Sequence, residues 1–60
     1  MKITELQEKI LEFLADDYKI VEIPMKLGYS YSFVEKQIAI LKDIYDCQNT
    51  PALIYKHFFK

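Results

Sequence analysis

Signals that start and stop helices punctuate this chain so closely that only short helices fit between them. The stretch "TELQEKILEFLADD" opens with Thr4, whose hydroxyl suits a first-turn amide while Gln7 reaches back, the reciprocal pattern of a capping box. Leu6, Ile10, Phe13 and Leu14 then recur at helical spacing, with Glu5, Glu8, Lys9 and Glu12 on the other side. The next segment, "KIVEIPMKLG", is less regular. Ile20, Ile23 and Leu27 share a helical face and Gly28 stands where a C-cap belongs. Pro24 lacks an amide donor and clashes one turn back, so a helix accepts it only near the start. A short or distorted second helix beginning between Ile20 and Ile23 is expected.

Ser30 or Ser32 is placed to cap a third helix, and Ser32 with Glu35 has capping-box spacing. Along it, Val34, Ile38, Leu41 and Tyr45 form a tight apolar stripe, which Phe33, Gln37, Ile40 and Ile44 widen on one side. The opposite arc carries Ser32, Glu35, Lys36, Ala39, Lys42 and Asp43. "DCQN" ends this helix, and "TPALIYKHFFK" starts a fourth with Thr50 as N-cap and Pro51 at the first helical position. Ala52, Ile54, Tyr55, Phe58 and Phe59 cover nearly half of its circumference, and Leu53 extends the apolar surface further round. The expectation is an all-α fold, a single four-helix domain over residues 1–60.

A chain of 60 residues buries only about 60% of the surface its unfolded form exposes, so its stability needs support. The one cysteine excludes an internal disulfide and points to a reducing compartment, read as cytoplasmic. Cys47 and the lone His57 fall short of the ligand set of a structural zinc, and no metal or other cofactor is expected. Good helix packing and a partner chain remain as sources of stability. No apolar run approaches the ~18 residues that would span a membrane. "MKITELQEK" carries acids and no apolar core, so it does not read as a signal peptide. Charge is nearly balanced: eight basic residues, every one a Lys, oppose nine acidic ones for a net of −1. Strong electrostatic affinity for nucleic acid rests on a basic surplus that this composition lacks.

The chain resembles the LuxR/GerE-type helix-turn-helix domain from end to end. The matching stretches are "ITELQEKILEFLADDY", "EIPMKLGYS", "VEKQIAILKDIY" and "CQNTPALIY", with Glu22, Ile23, Leu27, Gly28, Ser30, Val34 and Asn49 in register with the family pattern. Sigma-factor region 4 shares much of that pattern. The resemblance implies a domain that places its third helix in the major groove of DNA and dimerises through its fourth. Carried over, the DNA face would be Ser32, Phe33, Glu35, Lys36, Ala39, Ile40 and Asp43, with phosphate contacts from Lys19, Lys26 and Lys42. The departures fall on that face. Family members usually carry a basic residue in place of Glu35 and polar residues in place of Phe33 and Ile40. A basic pair is typical where Asp43 and Ile44 stand here, an Arg is common at Thr50, and a small Ala takes the place of Pro24.

Each candidate residue also has a plain structural reading. Val34, Ile38, Leu41 and Tyr45 read as core. Phe33, Ile40 and Ile44 either close that core against the first two helices or form an exposed apolar strip of the kind that marks partner surfaces. Among the five tyrosines, Tyr18, Tyr45 and Tyr55 read as packed rings with hydroxyls in water, whereas Tyr29 and Tyr31 flank the third helix and suit nucleic-acid contact. Asp16 and Asp17 read as a charged loop, His57 as a surface residue favouring a helix C-terminus, and Cys47 as a buried, inert thiol. No nucleophile–base pair, phosphate loop or metal motif is present, so neither an enzyme nor a small-molecule substrate is expected.

Two functions follow from the sequence. In the first, the chain is a DNA-binding transcriptional regulator whose Tyr31, Ser32, Glu35, Lys36, Ala39 and Lys42 meet double-stranded DNA. It would form a homodimer through Pro51, Ile54, Tyr55, Phe58 and Phe59. In the second, the same fold is a protein-interaction module that caps a larger regulatory protein without touching DNA.

Overall fold

The sequence places hydrogen-bonding side chains where helix ends leave amides without partners, and those side chains set the observed boundaries. The computed structural model describes residues 3–59, which form α1 (Glu5–Ala15), α2 (Ile23–Leu27), α3 (Tyr31–Ile44) and α4 (Thr50–Phe58), with no strand among them. At α1 the expected box closes on both sides: the Gln7 amide donates to the Thr4 hydroxyl (3.1 Å) and the Thr4 amide to Gln7 Oε1 (2.9 Å). α2 is one short helix that starts at Ile23, so Pro24 falls in its first turn, where its missing amide costs nothing.

At α3 the structure selects one of the two expected caps, and two further expectations, the Ser32–Glu35 box and the Thr50 cap, are corrected. Ser30, not Ser32, caps α3, accepting from the Phe33 amide at 3.2 Å. The Ser32–Glu35 box does not form, because Ser32 already lies inside the helix, and Glu35 instead accepts from the Tyr31 hydroxyl (3.3 Å). At α4 the cap is Asn49, whose side chain accepts from the Ala52 amide at 2.8 Å. Thr50 and Pro51 therefore both sit within the first turn, one position further in than expected. Asn is the stronger N-cap of the two, and it is Pro51, taken as the first helical position, that points to Thr50 instead.

The C-terminal ends of α1, α2 and α3 share one device, a left-handed residue that α4 lacks. Asp17 (φ 68°) and Asp46 (φ 53°) take left-handed backbone conformations just past α1 and α3, as Gly28 (φ 78°) does after α2. After α1, the Tyr18 amide donates to the Phe13 carbonyl (3.0 Å) and the Asp17 amide to that of Leu14 (3.1 Å). The Phe13 and Tyr18 rings meet edge to face at 4.9 Å, completing a Schellman motif with its apolar contact. After α3 the same pair of bonds runs from Cys47 to Lys42 and from Asp46 to Asp43. Residues 16 and 17 are thus a helix stop rather than a merely charged loop.

The core is the convergence of the four helices: Ile10, Leu11 and Leu14 from α1, Ile23 from α2, Val34, Ile38 and Leu41 from α3, and Leu53 from α4. Each fully buried aliphatic side chain contributes on the order of 2 kcal/mol before chain entropy is charged against it. α1 packs on α3 and α4, α2 on α3, and α3 on α4, so α3 touches every other helix. Two readings of the apolar faces change. Leu11, off the expected α1 stripe, is fully buried, while Leu6 and Phe13 only pack against the core edge. On α4 the buried residue is Leu53, placed at the margin of the apolar arc by the sequence reading, and Cys47 is only partly buried. Gln7, the one buried polar residue among those described, also donates to Gln37 Oε1 (2.9 Å), tying α1 to α3.

Candidate functional site

Because Val34, Ile38 and Leu41 turn inward, the opposite side of α3 faces solvent. Tyr31, Ser32, Glu35, Lys36 and Ala39 are exposed there, with Asp43 further along, and Lys42 is half-buried at the edge. α2 and the three-residue turn from Gly28 to Ser30 lead into the start of this face. The strip that the sequence left open divides. Phe33 packs against the core edge and stacks on Tyr29 at 4.8 Å, Ile44 is half-buried, and Ile40 remains exposed.

Among the described residues the side chains of Lys36 and Ser32 make no hydrogen bond within the chain, whereas Tyr31 and Glu35 hold each other. Lys36 and Lys42 are offset by Glu35 and Asp43, so the face is chemically varied and close to neutral. Of the other lysines assigned to phosphate contact, Lys19 is exposed and Lys26 sits 5.8 Å above the Tyr18 ring. That cation–π position leaves the Lys26 ammonium at the surface.

A second surface lies on α4. Tyr55 and Phe59 are 63% and 65% exposed and stack on each other at 5.7 Å, with Phe58 beside them at 41%. Pro51 is exposed, while Ile54 packs partly against the core. The five residues assigned to a dimer seam therefore include four solvent-facing ones and one that bridges seam and core.

A third constellation was not anticipated. His57 is not a surface residue: its side chain is 11% exposed, Nε2 lies 2.6 Å from Glu8 Oε2, and Nδ1 lies 2.6 Å from the Tyr45 hydroxyl. One tautomer satisfies both contacts, with the Nε2 proton donated to the carboxylate and Nδ1 accepting from the phenol. The Tyr45 hydroxyl, expected to reach water, is thereby bonded inside the protein. Burial, and then the nearby Glu8 carboxylate, push its pKa above the ordinary tyrosine value. Lys56 adds a further tie, donating from Nζ to the carbonyls of Tyr45 (3.1 Å) and Asp46 (2.9 Å) and so capping α3 from α4. Together these groups pin α4 to α1 and to the end of α3. The signal that was available is spacing: His57 follows Leu53 by one helical turn, so a core-facing Leu53 turns His57 inward.

Among the described residues, no group of three or more His, Cys, Asp or Glu is placed to hold a metal ion, and no helix is long and apolar enough to cross a membrane. No protein-family model, curated protein or solved structure matches this chain.

Proposed function

We propose that the chain is a small helix-turn-helix regulator that docks duplex DNA with α3 and pairs through α4, in the manner of the LuxR/GerE-type domains its sequence resembles. The observation that carries this reading is the α3 face: Tyr31, Ser32, Glu35, Lys36 and Ala39 stand together in solvent, backed by a fully buried stripe. A helix of 14 residues is about 21 Å long, and the major groove admits one. On such a face Lys36 is the donor suited to guanine O6 and N7, and Glu35 an acceptor suited to the cytosine amino group. Ala39 offers a methyl to thymine, Ser32 an adaptable hydroxyl, and Tyr31 and Lys42 reach phosphates. With only a few lysines available, about two to four phosphates are neutralised, and log affinity falls with log salt at a slope of roughly −2 to −4.

The variant Lys36→Glu tests this assignment. It changes an exposed side chain, so its helical circular dichroism stays that of the parent. The loss of a guanine contact, about 1–3 kcal/mol, lowers duplex affinity by roughly 5- to 150-fold. Unchanged affinity in that titration would remove α3 from the mechanism.

A second reading has its own observation. The net charge of −1 and the exposed Val21, Met25, Ile40, Tyr55 and Phe59 suit a module that binds a larger regulatory protein. It predicts that duplex DNA leaves every amide resonance in place even at low salt.

A further inference from the structure

The apolar surface of α4 does not end with its rings. At the start of that helix, Leu14, Tyr18, Ile20, Val21, Pro51 and Ile54 line a shallow groove between the end of α1, the segment before α2, and α4. Its lining is largely apolar, and Val21 on its wall is 60% exposed. α4 thus presents a groove at its N-terminal end and the stacked Tyr55–Phe59 pair, with Phe58, at its C-terminal end.

We propose that the occupant of this groove is the Phe58–Phe59 end of a second copy of the chain, across a two-fold axis that passes near Tyr55. This rests on the α4 pairing proposed above and extends it to residues outside α4. A two-fold interface is self-complementary, so residue i meeting j requires j to meet i. Antiparallel α4 helices crossing at Tyr55 bring Phe59 of each copy over Pro51 of the other, and Pro51 is a wall of the groove. The same alignment sets the two helix dipoles head to tail. One chain therefore carries both halves of the contact, which favours a second copy over an unrelated partner. At their observed exposures the three rings alone offer about 340 Å², taking ~200 Å² for a whole aromatic side chain, a little under half of the ~800 Å² each partner gives a standard interface. Val21, Pro51 and the groove floor extend that patch.

Light scattering of the full chain without DNA tests the contact independently of nucleic-acid binding. The expected wild-type mass is twice that of the 7.2 kDa chain. Val21→Glu and Phe59→Glu, both at exposed positions, each give a monomer with parental circular dichroism. Mixing Val21→Lys with Phe59→Glu restores the dimer, because symmetry leaves one native contact and brings the two introduced charges together at the other. A dimer that survives Val21→Glu while Phe59→Glu dissociates it would overturn the groove contact but keep the α4 seam. A wild-type monomer at millimolar concentration would overturn both, leaving the DNA reading to be judged by its own titration.

Discussion

Tyr45, His57 and Glu8 join three helices through two bonds of 2.6 Å, and Tyr45 makes that junction sensitive to alkali. Its pKa is raised in the folded state, so folding favours the neutral phenol. That contribution is complete below the unfolded value of ~10 and disappears as pH rises through the higher folded value. Tyr45→Phe accordingly costs about 1 kcal/mol near neutrality, since His57 Nδ1 loses its donor. The difference from wild type narrows above pH ~10, which urea unfolding at several pH values measures. A gap that stays constant with pH would deny the junction this role. Asp17 supports an opposite prediction. It holds a left-handed φ of 68° at the negative end of α1, whose last turn carries no basic residue. Asp17→Gly removes both penalties and stabilises by about 0.5–1 kcal/mol in thermal unfolding. The inward turn of His57 is legible only once Leu53 is known to face the core, and the stop at Asp17 is not legible from spacing. A helix stop is usually sought in glycine, and both Schellman ends here use Asp, whose short polar side chain also tolerates the left-handed region.

At the scale of elements, four helices were readable because their punctuation is local. Thr4 with Gln7, Pro24 near a start and Gly28 at a stop act within a single turn, and the structure uses each as expected. α3 was also clear, since Val34, Ile38 and Leu41 repeat at helical spacing and all three are buried. α4 was harder, because most of its apolar residues suit either core or surface and periodicity alone cannot say which arc faces inward. The answer lies in tertiary packing: Leu53 is fully buried and the aromatic arc is turned out. Leu53→Ala therefore costs about 2–5 kcal/mol, a large share of what so small a domain has, and should leave little cooperative helical signal on heating. Phe59→Ala, at a 65% exposed position, changes monomer stability by less than about 0.5 kcal/mol. Equal losses from the two variants would place the core of α4 wrongly.

On the scale of the whole molecule, the described chain packs to a radius of gyration of 10.5 Å, matching the ~10 Å expected of a folded chain this long. The same fold presents two unlike faces: α3 polar and nearly neutral, α4 aromatic. The candidate DNA residues could be placed on one face from sequence because α3 is long and strongly periodic. What they bind was not legible, since exposure fixes availability and not affinity, and balanced charge pulls against the shape. The most direct measurement is an amide-shift NMR titration with a mixed-sequence DNA duplex at low salt, repeated at higher salt. The account predicts shifts centred on residues 30–43 that fade as salt rises, the signature of α3 docking through phosphate and base contacts. Resonances that stay fixed at low salt, where non-specific binding is strongest, would contradict it and leave α3 as a scaffold for the aromatic face of α4.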